Sequence, residues 1–116
     1  MATAWNTVTV ADVTSIGTTE KFTAAIAVAP NEALSIDAQL GAHGTDEITI
    51  TAYASSDGGT TWAAVQAVVV PAGDTAPRAL GPFILRPNMR LGFVASGSTD
   101  LPTATIRAER GPLNAA

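Results

Sequence analysis

Residues 34–52 read Leu34-Ser-Ile-Asp-Ala-Gln-Leu40-Gly-Ala-His-Gly-Thr-Asp-Glu-Ile48-Thr-Ile-Thr-Ala52, and their spacing decides the fold. Leu34, Ile36, Ala38 and Leu40 alternate with Ser35, Asp37 and Gln39. After the break at Gly41-Ala-His-Gly44, Ile48, Ile50 and Ala52 alternate with Glu47, Thr49 and Thr51. Successive side chains of a strand point to opposite faces, so each run is a strand with one apolar and one wet face. Strands of that kind belong to antiparallel sheets that pack their apolar faces on a shared core.

The same period of two extends outward in both directions. Met89, Leu91 and Phe93 alternate with Arg90, Gly92 and Val94, and Ala104, Ile106 and Ala108 alternate with Thr103, Thr105 and Arg107. Upstream, Phe22, Ala24, Ile26 and Val28 alternate with Lys21, Thr23, Ala25 and Ala27, and Val8 and Val10 with Thr7 and Thr9. Residues 62–70 are apolar on both faces, as expected of a strand covered on two sides. Residues 83–86 form a short strand between Pro82 and Pro87, which lack an amide donor and so belong at sheet edges or strand ends. Turn residues interrupt the runs at Pro30-Asn31, Ser55-Ser-Asp-Gly-Gly59, Pro71-Ala-Gly-Asp74 and Ser96-Gly-Ser-Thr-Asp100. No ten-residue helical pattern competes. The prediction is an all-β, antiparallel two-sheet β-sandwich or jelly roll of seven to eight strands. It occupies residues 7–110, with residues 1–6 as an attachment arm and 111–116 as an extended or frayed tail.

Composition narrows the function. The chain has 116 residues, enough for one core, and no cysteine, which removes disulfides, thiol nucleophiles and cysteine-ligated zinc. Only 14% of residues are charged, against about 25% in an average domain. Sixteen threonines and 23 alanines, with Lys21 the only lysine, give uncharged hydroxyl-rich faces that suit strands better than helices. Residues 1–77 carry eight acids and one base, a net of −7; residues 78–116 carry five arginines against Asp100 and Glu109, a net of +3. An acidic chain without a basic cluster is a poor partner for phosphate backbones, so no nucleic acid is expected. The first residues carry no secretory pattern, and no 18-residue apolar run suggests a membrane partner.

One motif stands out. Ser55-Ser-Asp57-Gly58-Gly59-Thr60-Thr61-Trp62 fits S-x-D-x-G-x-T-W and resembles the Asp-box of bacterial neuraminidase-type repeats. In that element a carboxylate binds turn amides, a glycine takes positive φ and the aromatic ring packs beneath the hairpin. The resemblance implies a structural turn built by Ser55, Asp57, Gly59, Thr61 and Trp62, and no sialidase activity. A looser resemblance covers most of the chain. Trp5-Asn-Thr-Val8, the SSDGGTTW hairpin at 55–62 and the FILRPNMRLGF strand pair at 83–93, in a Thr/Ala-rich chain without cysteine, are similar to small virion proteins of tailed bacteriophages. That resemblance implies a capsid decoration (cement) protein, made in the bacterial host cytoplasm and bound in many copies to the virion surface. Its partners would be the major capsid protein and copies of itself, with a trimer implied. A tail, tail-tip or fibre component is the alternative, and a carbohydrate-binding module is the second.

Catalysis finds little support. The only histidine, His43, sits in a glycine-flanked turn near Asp46 and Glu47, a weak metal set, and reads as a solvated loop residue. Ser96 and Ser98 have no nearby base and no nucleophile-elbow spacing. The chain is expected to be no enzyme, with no cofactor and no metal. Five of the six aromatic residues have places in the core or hairpin patterns, which leaves Trp5. It is the candidate interface anchor, together with Arg78, Arg86 and Arg90 around the proline-bounded edge.

Overall fold

The computed structural model describes residues 5–84 and 87–112. Its strands are β1 (Asn6–Val8), β2 (Lys21–Phe22), β3 (Ile26–Ala27), β4 (Glu32–Leu40), β5 (Ile48–Ser55), β6 (Ala63–Val70), β7 (Arg78–Ile84), β8 (Asn88–Ala95) and β9 (Ala104–Pro112). One sheet has the order β1-β9-β4-β7. The other has β2-β8-β5-β6, with β3 also paired to β8, and every pairing is antiparallel.

The pairing is nested. β5 pairs with β6, β4 with β7, β2 and β3 with β8, and β1 with β9. The chain is therefore one long antiparallel ribbon whose tip is the β5–β6 hairpin. The ribbon is rolled so that successive pairs fall in opposite sheets, and the further pairings β4:β9 and β5:β8 close each sheet. This is the jelly-roll winding. Counting β2 and β3 as one broken strand gives eight, in agreement with the sequence.

The alternating residues meet in the middle. Leu34, Ile36, Ala38 and Leu40 of β4, Ile48, Ile50 and Ala52 of β5, Met89, Leu91 and Phe93 of β8, and Ala104, Ile106 and Ala108 of β9 are all buried in one cluster. Val13 and Ile16, between β1 and β2, join it. Pro82 lies in β7, an edge strand, where its missing amide leaves no central ladder bond unmade.

Four sequence expectations change. The strand expected at 83–86 begins earlier, at Arg78, and carries Pro82 within it. Residues 62–70 are not covered on both faces: β6 is an edge strand, largely exposed, and Val69 is 52% accessible. Its alanines and valines gave an apolar run without the bulk that marks a two-sided core position. The run from Phe22 to Val28 is not one strand. The Thr23 amide donates to Leu91 O at 2.9 Å and Thr23 Oγ1 accepts from the Leu91 amide at 3.1 Å. A hydroxyl thus takes the place of a ladder carbonyl, Thr23 turns inward, and Phe22 is thrown outward. Finally, Gly111 and Pro112 are not tail but the end of β9, opposite Ala33 and Glu32 of β4.

Candidate functional site

At the ribbon tip, the hairpin is built as the motif implied. Asp57 Oδ1 accepts from the amides of Thr60 (3.1 Å) and Thr61 (2.8 Å) and from Ser55 Oγ (2.7 Å), while Ser55 Oγ accepts from the Gly59 amide (2.8 Å). Trp62 Nε1 donates to Gly59 O at 3.0 Å, folding the indole under the turn. Gly58 and Gly59 have φ of 75° and 95°, a region closed to most side chains. The Thr61 amide above all, then the Ser55 hydroxyl, draws the Asp57 carboxyl down to about 2. A carboxylate acidified by folding contributes stability that is complete above the usual carboxylate value and is lost as the pH falls toward 2. Wild type should therefore melt above Asp57→Asn at pH 6, and the gap should close between about pH 4 and pH 2. A gap independent of pH in thermal melts would contradict the hydrogen-bond geometry.

Beside the hairpin, the outer face of the β2–β8–β5–β6 sheet carries a stack of rings around one cation. The Arg90 guanidinium lies 3.9 Å from the Phe22 ring centroid, 4.4 Å from that of Trp62 and 5.9 Å from that of Tyr53. Phe22 and Tyr53 meet edge to face at 5.8 Å. Register explains the gathering. Tyr53 on β5 stands opposite Arg90 on β8, Phe22 on β2 stands opposite Gly92, and the hairpin delivers Trp62. Gly92 lets its neighbours close in over the strand: a Cβ there would lie 2.9 Å from the Tyr53 ring and closer still to the Glu20 carboxylate. Tyr53 Oη donates to Glu20 Oε2 at 2.7 Å, and that bond, with burial behind it, raises the phenol above its ordinary value. Arg90 Nε is buried without an acceptor, and among the described residues no carboxylate pairs with this guanidinium.

The other predicted interface residues separate. Arg78 starts β7 and pairs with Asp74 four residues earlier. Arg90 sits on β8, inside the opposite sheet, so the two do not share one edge. Arg86 lies outside the described residues, as do residues 2–4 of the predicted arm. Trp5 does have a place: its indole, half-buried, covers Gly111 of β9, where a Cβ would stand 2.5 Å from the ring. The rest of the aromatic reading changes too. Only Phe83 and Phe93 are buried, whereas Phe22 is exposed and Tyr53 and Trp62 reach the surface on one face.

At the end away from the tip, the loops between β4 and β5, β6 and β7, and β8 and β9 are locked together. His43 is not solvated but 1% exposed. Nδ1 faces Asp46 O at 2.8 Å and Nε2 faces Asp74 O at 2.6 Å, so neither nitrogen is free to ligate a metal. A doubly protonated ring donates to both carbonyls, a neutral ring to one. Two Thr-Asp pairs then clasp each other. Asp46 Oδ2 accepts from the Thr99 and Asp100 amides, both at 2.9 Å, and Asp100 Oδ2 accepts from the Thr45 and Asp46 amides at 2.9 and 2.7 Å. Ser96 Oγ accepts from the Glu47 amide, which accounts for a serine without a base. The repeated Thr-Asp in two glycine-bearing loops was the available signal for this clasp. No family model, curated protein or solved structure matches the chain.

Proposed function

We propose that the chain is a non-catalytic attachment module that docks through the Phe22–Arg90–Trp62 face, and that it serves as a capsid decoration protein bound in many copies to the head of a tailed bacteriophage. The observation that carries the reading is Arg90. A guanidinium held between two rings on an open face, with its fork unpaired among the described residues, is preorganised for a carboxylate on a partner. Aromatic residues and arginine are the side chains most often found at the centre of interfaces. The polar groups that chemistry would need are engaged elsewhere: the His43 ring nitrogens face two backbone carbonyls, and Asp46, Asp57 and Asp100 hold turn amides. The likeness of the chain to small virion proteins supplies the setting.

Phe22, Tyr53 and Trp62 on one face also favour a second reading, a carbohydrate-binding module whose rings stack on sugar faces. Co-sedimentation separates the two. Purified protein is mixed with undecorated shells of the major capsid protein from the same genome, with purified tails, and with immobilised glycans. Saturable binding to shells supports decoration. Binding only to tails moves the module to the tail, binding only to glycans installs the second reading, and no binding at tens of micromolar to any of them overturns attachment.

A further inference from the structure

Of the four sheet edges, three are closed to a further strand. β1 offers three residues, β2 and β3 two each with a break between them, and β7 carries Arg78 and Pro82, its Gly81 amide taken by Gln66 Oε1 at 2.9 Å. Short edges, charges, prolines and breaks are how sheets avoid unwanted pairing. β6 has none of these apart from one bulge. It is eight residues long, without charge or proline, inside a window from Gly58 to Gly73 that contains no ionisable side chain. The bulge places Val65 as an extra residue opposite the Ala52–Tyr53 step of β5, which leaves residues 66–70 as a regular run. Along that run Ala67 and Val69 face solvent and Val70 faces the core.

We infer that the free edge of β6 is an interface with a second copy of this chain. The two strands pair antiparallel about a two-fold axis and join two sheets into one. Charge does not oppose a second copy at this edge. At a net charge of −4, copies repel each other, and they approach with least opposition where neither carries a charge. Superposing the two regular runs places Val68 opposite its own copy and Ala67 opposite Val69, small and β-branched side chains that fit a pleated surface. Such an interface is isologous and closes on itself, so its product is a dimer rather than the trimer the virion resemblance implied. The inference stands independently of what the module attaches to.

Sedimentation velocity on the purified chain, with no shell present, reads the association. Wild type is expected to be a dimer at tens of micromolar, and Val69→Lys, altered at an exposed side chain, a folded monomer that melts cooperatively and no higher than wild type. Because the chain has no native cysteine, an Ala67→Cys, Val69→Cys double variant carries the only thiols. Oxidation should link it into a covalent dimer through cross-strand pairs. Monomeric wild type at 100 µM, as an order-of-magnitude ceiling for specific association, overturns the inference. So does a dimer that survives Val69→Lys and forms no disulfide in the double variant.

Discussion

His43→Leu is expected to destabilise the fold by about 3 kcal/mol in urea denaturation, although it replaces one buried side chain by another of similar size. The imidazole is the bracket between two loops. Its nitrogens reach Asp46 O in the β4–β5 loop and Asp74 O in the β6–β7 loop, and the Gly73 amide returns a bond to His43 O at 2.9 Å. Leucine donates to neither carbonyl, and an unpaired buried polar group costs about 1–3 kcal/mol. His43→Gln, able to donate to one carbonyl, should recover part of the loss. For a domain of this size the leucine variant should melt roughly 12–20 °C lower. A change under about 1 kcal/mol would mean that the loops are held by other contacts.

Asp46→Ala should cost a comparable amount, about 2–4 kcal/mol, because the residue is 3% exposed and its carboxylate serves two amides at once. Asp100→Ala should cost less, since its bonds lie nearer the surface. The two are reciprocal, each carboxylate binding the amides of the other Thr-Asp pair, so the double variant should lose less than the sum of the singles by about 1 kcal/mol or more. Strict additivity in chemical denaturation would contradict the clasp. Gly97 shares the constraint: a Cβ there would lie 2.7 Å from Asp46 Oδ1, so alanine at 97 should displace the same carboxylate.

The sheets were legible in the sequence wherever alternation came from residues of contrasting size and polarity. Leu34 to Leu40, Ile48 to Ala52 and Met89 to Phe93 all bury the face that their spacing selects. The hairpin was legible because its chemistry is local: Ser55, Asp57, Gly59, Thr61 and Trp62 act on each other within eight residues. Alternation failed at Thr23, whose hydroxyl stands in for a backbone carbonyl, and the failure hid the site. Alternation assigns Phe22 to the core, and with it there the sequence carries no sign of the rings around Arg90. The burial of His43 is hidden for a related reason. Flanking glycines signal a turn, but whether a turn is wet depends on which other loops arrive, and Asp74 and Asp100 are 31 and 57 residues further along the chain. The edge position of β6 is not legible because alanine and valine are apolar enough for an interior yet small enough for an edge.

Binding of Arg90 and Phe22 variants to undecorated shells tests the attachment face most directly. Arg90→Ala removes the guanidinium and Phe22→Ala removes one ring from an exposed position, and each is compared with wild type only where its melting temperature is unchanged. Both variants are expected to lose roughly tenfold or more in affinity, the size expected when a central interface side chain is truncated. Binding of Arg90→Ala should also depend less on salt than that of wild type, because the partner carboxylate has lost its counter-charge. Wild-type affinity and salt dependence in both variants would contradict attachment through this face.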